Sequence, residues 1–107
     1  MNAPSYQVYA SQDYEERFPG ARESSLFPRL AECYEKEGNL EQAVAVCQKG
    51  LENFPDNLAG FVILGRCLQS LEQTEGAKAA YEKALNIDSG CLSALSGLAS
   101  ILSLMQW

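Results

Sequence analysis

The chain reads as an all-α protein built from a repeated helix pair, and three observations predict it. Laying Ser24–Asn57 over Leu58–Cys91, a shift of 34 residues, gives eight identities. They are Phe27/Phe61, Leu30/Leu64, Cys33/Cys67, Glu41/Glu75, Ala43/Ala77, Ala45/Ala79, Lys49/Lys83 and Leu51/Leu85, and they fall mostly at apolar or small positions, as a repeated packing unit requires. Within each unit, apolar residues recur at spacings of three and four, the period of one helix face. No alternating run of β-branched residues competes with that reading.

Each element is dictated by its own residues. Tyr6, Tyr9, Ala10, Tyr14 and Phe18 fit one helical face and predict a leading helix over 6–18 that covers the first repeat. Phe27, Leu30, Ala31 and Tyr34 predict a helix over 24–37, with Pro28 tolerated in the first turn, where its missing N–H is unpaired anyway. Gly38-Asn39 supplies the turn, since glycine reaches the left-handed region that ends many helices. Leu40, Ala43, Val44, Cys47 and Leu51 mark a helix over 40–53, closed by the breaker Phe54-Pro55-Asp56-Asn57. The second unit repeats the design. Phe61, Leu64, Gly65 and Leu68 place a helix over 58–71, ending at a turn around Glu72–Thr74. Ala77, Ala80, Tyr81, Ala84 and Leu85 place the next over 74–87, and a last helix covers 92–105 after the Ser89-Gly90 turn. Turns this short make consecutive helices antiparallel neighbours.

These residues resemble the tetratricopeptide repeat (TPR) family, whose first helix carries a large apolar residue, a leucine, a small residue and then an aromatic. Its second helix carries a small residue and an aromatic, with a closing proline. The first unit matches with Phe27, Leu30, Ala31, Tyr34, Ala43 and Pro55, and departs at Cys47, where an aromatic is usual, and at Gly50, where alanine is usual. The second matches with Phe61, Leu64, Gly65, Ala77, Tyr81 and Ala84, and departs at Leu68 and at Ser89, where proline is expected. The small residues are expected to let paired helices approach, Ala31 against Ala43 and Gly65 against Ala77. The resemblance implies a short right-handed solenoid of antiparallel helix pairs: a leading segment 1–23, repeats at 24–57 and 58–91, and the first helix of a third at 92–107.

Composition removes whole classes of function. Fourteen acids against eight bases leave a formal charge of −6, which argues against nucleic acid and anionic membrane surfaces as partners. Histidine is absent, so no imidazole can act as base or metal ligand. Cys33, Cys47, Cys67 and Cys91 are 14, 20 and 24 residues apart, and no CxxC occurs, so neither a zinc knuckle nor a redox pair is suggested. Reduced, buried thiols and a cytoplasmic setting are the expectation, with no metal and no cofactor. No run of apolar residues is long enough to span a membrane.

The resemblance implies a non-catalytic module that binds a peptide or helix of a partner protein on the concave face lined by the first helices. That face would present Arg29, Glu32, Glu35 and Lys36, then Val62, Ile63, Arg66 and Gln69, then Ser93, Ser96, Gly97 and Ser100. Arg66 beside Val62 is the expected anchor of a partner, while Glu32 and Lys36 at i and i+4 are spaced as a helix-stabilising pair. Some relatives hold a terminal carboxylate with lysines, asparagines and arginines on these faces. Here Arg29 and Arg66 have no asparagine at the equivalent places, so such a clamp is not expected. Ser93, Ser96, Ser100 and Ser103 line one helical face, but with no histidine and no neighbouring lysine they form a polar wall, not a nucleophile.

The last helix is different in kind, since Ser89 to Trp107 contains no charged side chain. Leu95, Leu98, Leu102 and Met105 form the stripe that would pack on a second helix of the same repeat. Leaving such side chains in water forgoes about 1.5–3 kcal/mol each. This cost raises two expectations: the natural protein continues past Trp107 as the amino-terminal part of a longer chain, or the domain is a structural element that self-associates as a homodimer through this helix.

Overall fold

In the computed structural model, residues 10–105 are described, and every regular element among them is helical. Helix α1 (Ser11–Arg17) is followed by a 3-10 turn (Ala21–Glu23), then α2 (Phe27–Lys36), α3 (Leu40–Asn53), α4 (Leu58–Ser70), α5 (Thr74–Ile87) and α6 (Leu92–Met105). The start of the expected leading helix, 6–9 with Tyr6 and Tyr9, lies outside the described residues, and Ala10 is extended, so the helix begins at Ser11 rather than running through Ala10. The first two helices are shorter than expected, and α2 and α4 each end one residue early, at Lys36 and Ser70. Gly20, at φ 83°, breaks the chain after α1 and feeds the 3-10 turn. The helix expected from residue 24 begins instead at Phe27. Ser24 is spent on local turn bonds, its Oγ donating to the Ala21 carbonyl and accepting from the Leu26 N–H.

Helix pairs pack in chain order. α2 lies on α3 and α4 on α5, α3 and α5 carry the stack onward, and the first helices α2, α4 and α6 also touch in succession. Both within-pair turns use one motif. After α2, the Asn39 N–H reaches the Tyr34 carbonyl at 2.9 Å and Gly38 reaches Glu35 at 3.0 Å; after α4, Gln73 reaches Leu68 at 2.9 Å and Glu72 reaches Gln69 at 3.0 Å. This 6→1 plus 5→2 pattern needs a left-handed residue between the helices. Gly38 supplies it at φ 81°, and Glu72, one period later, at φ 62°.

The core runs along the stack and centres on two rings. Phe27 is wholly buried and stacks on Phe54 at 6.2 Å. A Cβ on Gly50 or Gly60 would fall inside van der Waals contact of the Phe27 ring. Tyr81 is equally enclosed, with Gly65 and Gly97 in the same relation to it. Gly65 therefore makes room for an aromatic ring rather than simply for Ala77. Ala31, Ala43 and Ala77 are fully buried, and Cys33, Cys47 and Cys67 are buried in the core as free thiols.

The leading segment is fastened to α2. Glu37 accepts from both the N–H and the Oγ of Ser11, at 2.6 and 2.9 Å, placing a carboxylate at the positive end of α1. Arg22 donates to Glu15 at 3.3 Å and to the Tyr34 hydroxyl at 3.1 Å, and Tyr34 in turn donates to Glu15 at 3.3 Å. Buried Tyr14 joins the core beneath, with Phe18 packed on it at 4.8 Å.

Candidate functional site

The first helices leave an open cleft of about 530 Å³ between α2, α4 and the start of α6. Its apolar lining comes from Leu26 and Pro28 on the α2 side and Leu58, Ala59, Val62 and Ile63 on the α4 side. Ser25, Arg29, Glu32, Asn57, Arg66, Cys91 and Ser93 make up the rest. Asn57 is fixed by its capping role, its Oδ1 accepting from the Gly60 N–H at 2.9 Å. The helical period explains the α4 wall: Ala59, Val62 and Arg66 are separated by three and four residues and so share a face.

Of the expected groove residues, Arg29, Glu32, Val62, Arg66 and Ser93 come together around this cleft. Val62 is only 8% exposed and forms floor rather than a projecting contact. Lys36, Gln69, Ser96 and Ser100 are not among its lining residues. The expected Glu32–Lys36 ion pair does not form among the described residues, where Arg22 pairs with Glu15, Lys49 with Glu52 and Arg66 with Glu35.

Arg66 is held from within the chain. Its Nε donates to one Glu35 oxygen at 3.0 Å and its Nη2 to the other at 2.7 Å, a bidentate fork that fixes the guanidinium plane. The bonded Glu35 carboxylate raises the Arg66 pKa above its ordinary value, against the opposing effect of burial. An arginine expected to seize a partner is thus already neutralised and serves as a rigid wall between successive first helices. Gln69 does a similar task one junction later. Its Oε1 accepts from the Tyr81 hydroxyl at 2.9 Å and its Nε2 donates to Ser100 Oγ at 3.3 Å. Glu35 to Arg66 and Gln69 to Ser100 are both 31 residues apart, one repeat less one near-turn of helix. That offset is present in the sequence as a signal for the pairing, but three-residue and four-residue spacings alone do not reveal it.

The chemistry open to this cleft is non-covalent. Burial pushes the Cys33 and Cys67 thiols up to about 11 and Cys47 up to about 12, so these three stay protonated near neutrality and are poor nucleophiles. Among the described residues no group of three or more Cys, Asp or Glu is placed to hold a metal ion, and no helix is long and apolar enough to cross a membrane.

A stack of antiparallel helix pairs with a 34-residue period and an open face along its first helices defines an α-helical repeat protein. Tetratricopeptide-repeat profiles match the chain at residues 29–57 and 60–91, and the chain belongs to that family. It is also similar to mouse sperm-associated antigen 1, 33% identical over 67 residues. That stretch is 63% of this chain and 7% of the relative, so the chain spans a small part of the curated protein it matches. Repeats of this family generally mediate protein–protein interaction and are generally non-catalytic.

Proposed function

We propose that the chain is a non-catalytic interaction module that holds a short peptide or helix of a partner protein in the cleft between α2 and α4. The observation that carries the reading is the cleft itself: an apolar floor, a polar rim, and a charged wall already locked by Glu35 and Arg66. Arg29 and Glu32, rim charges outside that locked pair, set the register of the bound segment. In this reading Ser93 belongs to the cleft, while Ser96, Ser100 and Lys36 lie along the same first-helix surface beyond it. The repeat layout proposed with it is 24–57 and 58–91, preceded by 1–23 and followed by 92–107. The unpaired thiols support a reducing, cytoplasmic setting. Self-association, the second role, draws on the exposed leucines of α6, a different surface.

Cys91 offers a direct test, because it is half-buried in the cleft lining while the other three thiols are buried. A fluorophore placed there reports occupancy by peptides selected on the chain from a displayed random library. Ala59→Arg and Ser93→Arg fill the cleft from exposed positions and are expected to weaken the selected peptides by about tenfold or more. Affinity unchanged in both variants overturns the reading.

A further inference from the structure

Helix α6 carries three distinct stripes. Ala94, Gly97, Leu98 and Ile101 face the core: Ala94 and Ile101 are buried, Leu98 packs partly against the cluster, and Gly97 lies under the Tyr81 ring. Ser93, Ser96, Ser100 and Ser103 are exposed along a second face, with Ser93 lining the cleft. The third stripe is Leu92, Leu95, Ala99 and Leu102, all exposed, the leucines at 79%, 43% and 43%. The expected apolar stripe through Leu95, Leu98, Leu102 and Met105 thus splits. Leu98 turns to the core, Leu92 and Ala99 join Leu95 and Leu102, and the Met105 side chain lies outside the described residues.

The repeat itself says what kind of surface this is. One period earlier the same positions are Leu58, Phe61, Gly65 and Leu68, and none of them is exposed. Helix α5 covers this face, its Tyr81 ring over Gly65 and its Gly76 against Leu68. The stripe on α6 is therefore a helix-docking face.

We infer that this face is covered by the same face of a second copy, two α6 helices packing antiparallel about a two-fold axis. A two-fold interface must be self-complementary, and this stripe is. Its spacing of three, four and three residues reads the same in both directions. With the axis at the level of Gly97, Leu92 meets Leu102 of the second copy and Leu95 meets Ala99 of the second copy. At the central contacts a large side chain therefore faces a small one, and the helices interdigitate. Charge favours the same occupant. All 22 charged side chains precede Ser89, so two molecules approach with least repulsion through this uncharged helix. One helix pair is a small interface, which sets a weak dimer with a dissociation constant on the order of micromolar.

Sedimentation of the 107-residue chain from about 1 µM to about 1 mM tests this, with helicity followed by circular dichroism. The mass is expected to rise with concentration and level off at twice the monomer. Leu95→Asp, at a side chain already part-exposed, is expected to raise the dissociation constant by at least about tenfold with helicity unchanged. Ala99→Leu puts leucine against leucine and is expected to weaken the dimer; Leu95→Ala together with Ala99→Leu exchanges large for small on both copies and restores it. A monomer at every concentration, growth beyond a dimer, indifference to Leu95→Asp, or failure of the exchange to rescue overturns the proposal.

Discussion

The two repeats build equivalent cores from opposite sides. In the first, the large ring comes from the first helix: Phe27 on α2 is fully enclosed, and the second helix answers with Gly50. In the second, the ring comes from the second helix: Tyr81 on α5 is enclosed, and the first helix answers with Gly65. Phe61, the repeat-equivalent of Phe27, is only half-buried, and Cys47 stands where Tyr81 stands one period later. Each half thus encloses one ring against glycine, but the helix that supplies the ring changes. The departure at Gly50 therefore makes room for Phe27.

The largest effects are expected at the rings themselves. Phe27→Ala and Tyr81→Ala each remove a fully enclosed aromatic and are expected to cost about 3–5 kcal/mol, read as a lowered midpoint in urea. Phe61→Ala, at the half-buried equivalent, should cost clearly less. A cost at Phe61 equal to that at Phe27 would contradict the exchange of roles between helices.

Intermediate effects belong to the glycines that face the rings. A Cβ at Gly50 would lie within van der Waals contact of the Phe27 ring. Gly50→Ala is therefore expected to destabilise by about 1–2 kcal/mol even after alanine's helix-propensity gain of about 1 kcal/mol. Combining it with Phe27→Leu should recover part of that loss, as coupled neighbours do in a double-mutant cycle. Strict additivity of the two changes would remove the steric explanation.

The smallest effect separates the turns. Gly38 and Glu72 occupy the same left-handed position at φ 81° and 62°, where a side chain costs roughly 1 kcal/mol and glycine costs little. Glu72→Gly is thus expected to stabilise by about 0.5–1 kcal/mol and Gly38→Ala to destabilise by about 1 kcal/mol. Opposite shifts in thermal midpoint are the signature; shifts of the same sign would show that the two turns are not equivalent.

Much of the fold is legible in the residues alone. The period of 34, the apolar spacing and the breakers place α3, α5 and α6 at their observed bounds, and α4 within one residue. The start of α2 is less accessible, because Ser24 and Ser25 read as helix entrants until the turn bonds of Ser24 are seen. At the cleft, it is the family resemblance that puts Arg29, Glu32, Val62, Arg66 and Ser93 on one first-helix surface, where they do come together. It does not show that Arg66 is already engaged, since its partner Glu35 sits on another helix at a distance set by the repeat's pitch.

Local spacing and composition are enough to set the helical class, the repeat and the concentration of charge before Ser89. The partners of each side chain are decided only in three dimensions. Which ring fills each helix crossing, which arginine is neutralised, and which of the leucines on α6 turn inward all depend on how helices rotate against their neighbours. That rotation is settled by close packing summed over many contacts, and no single stretch of chain encodes it.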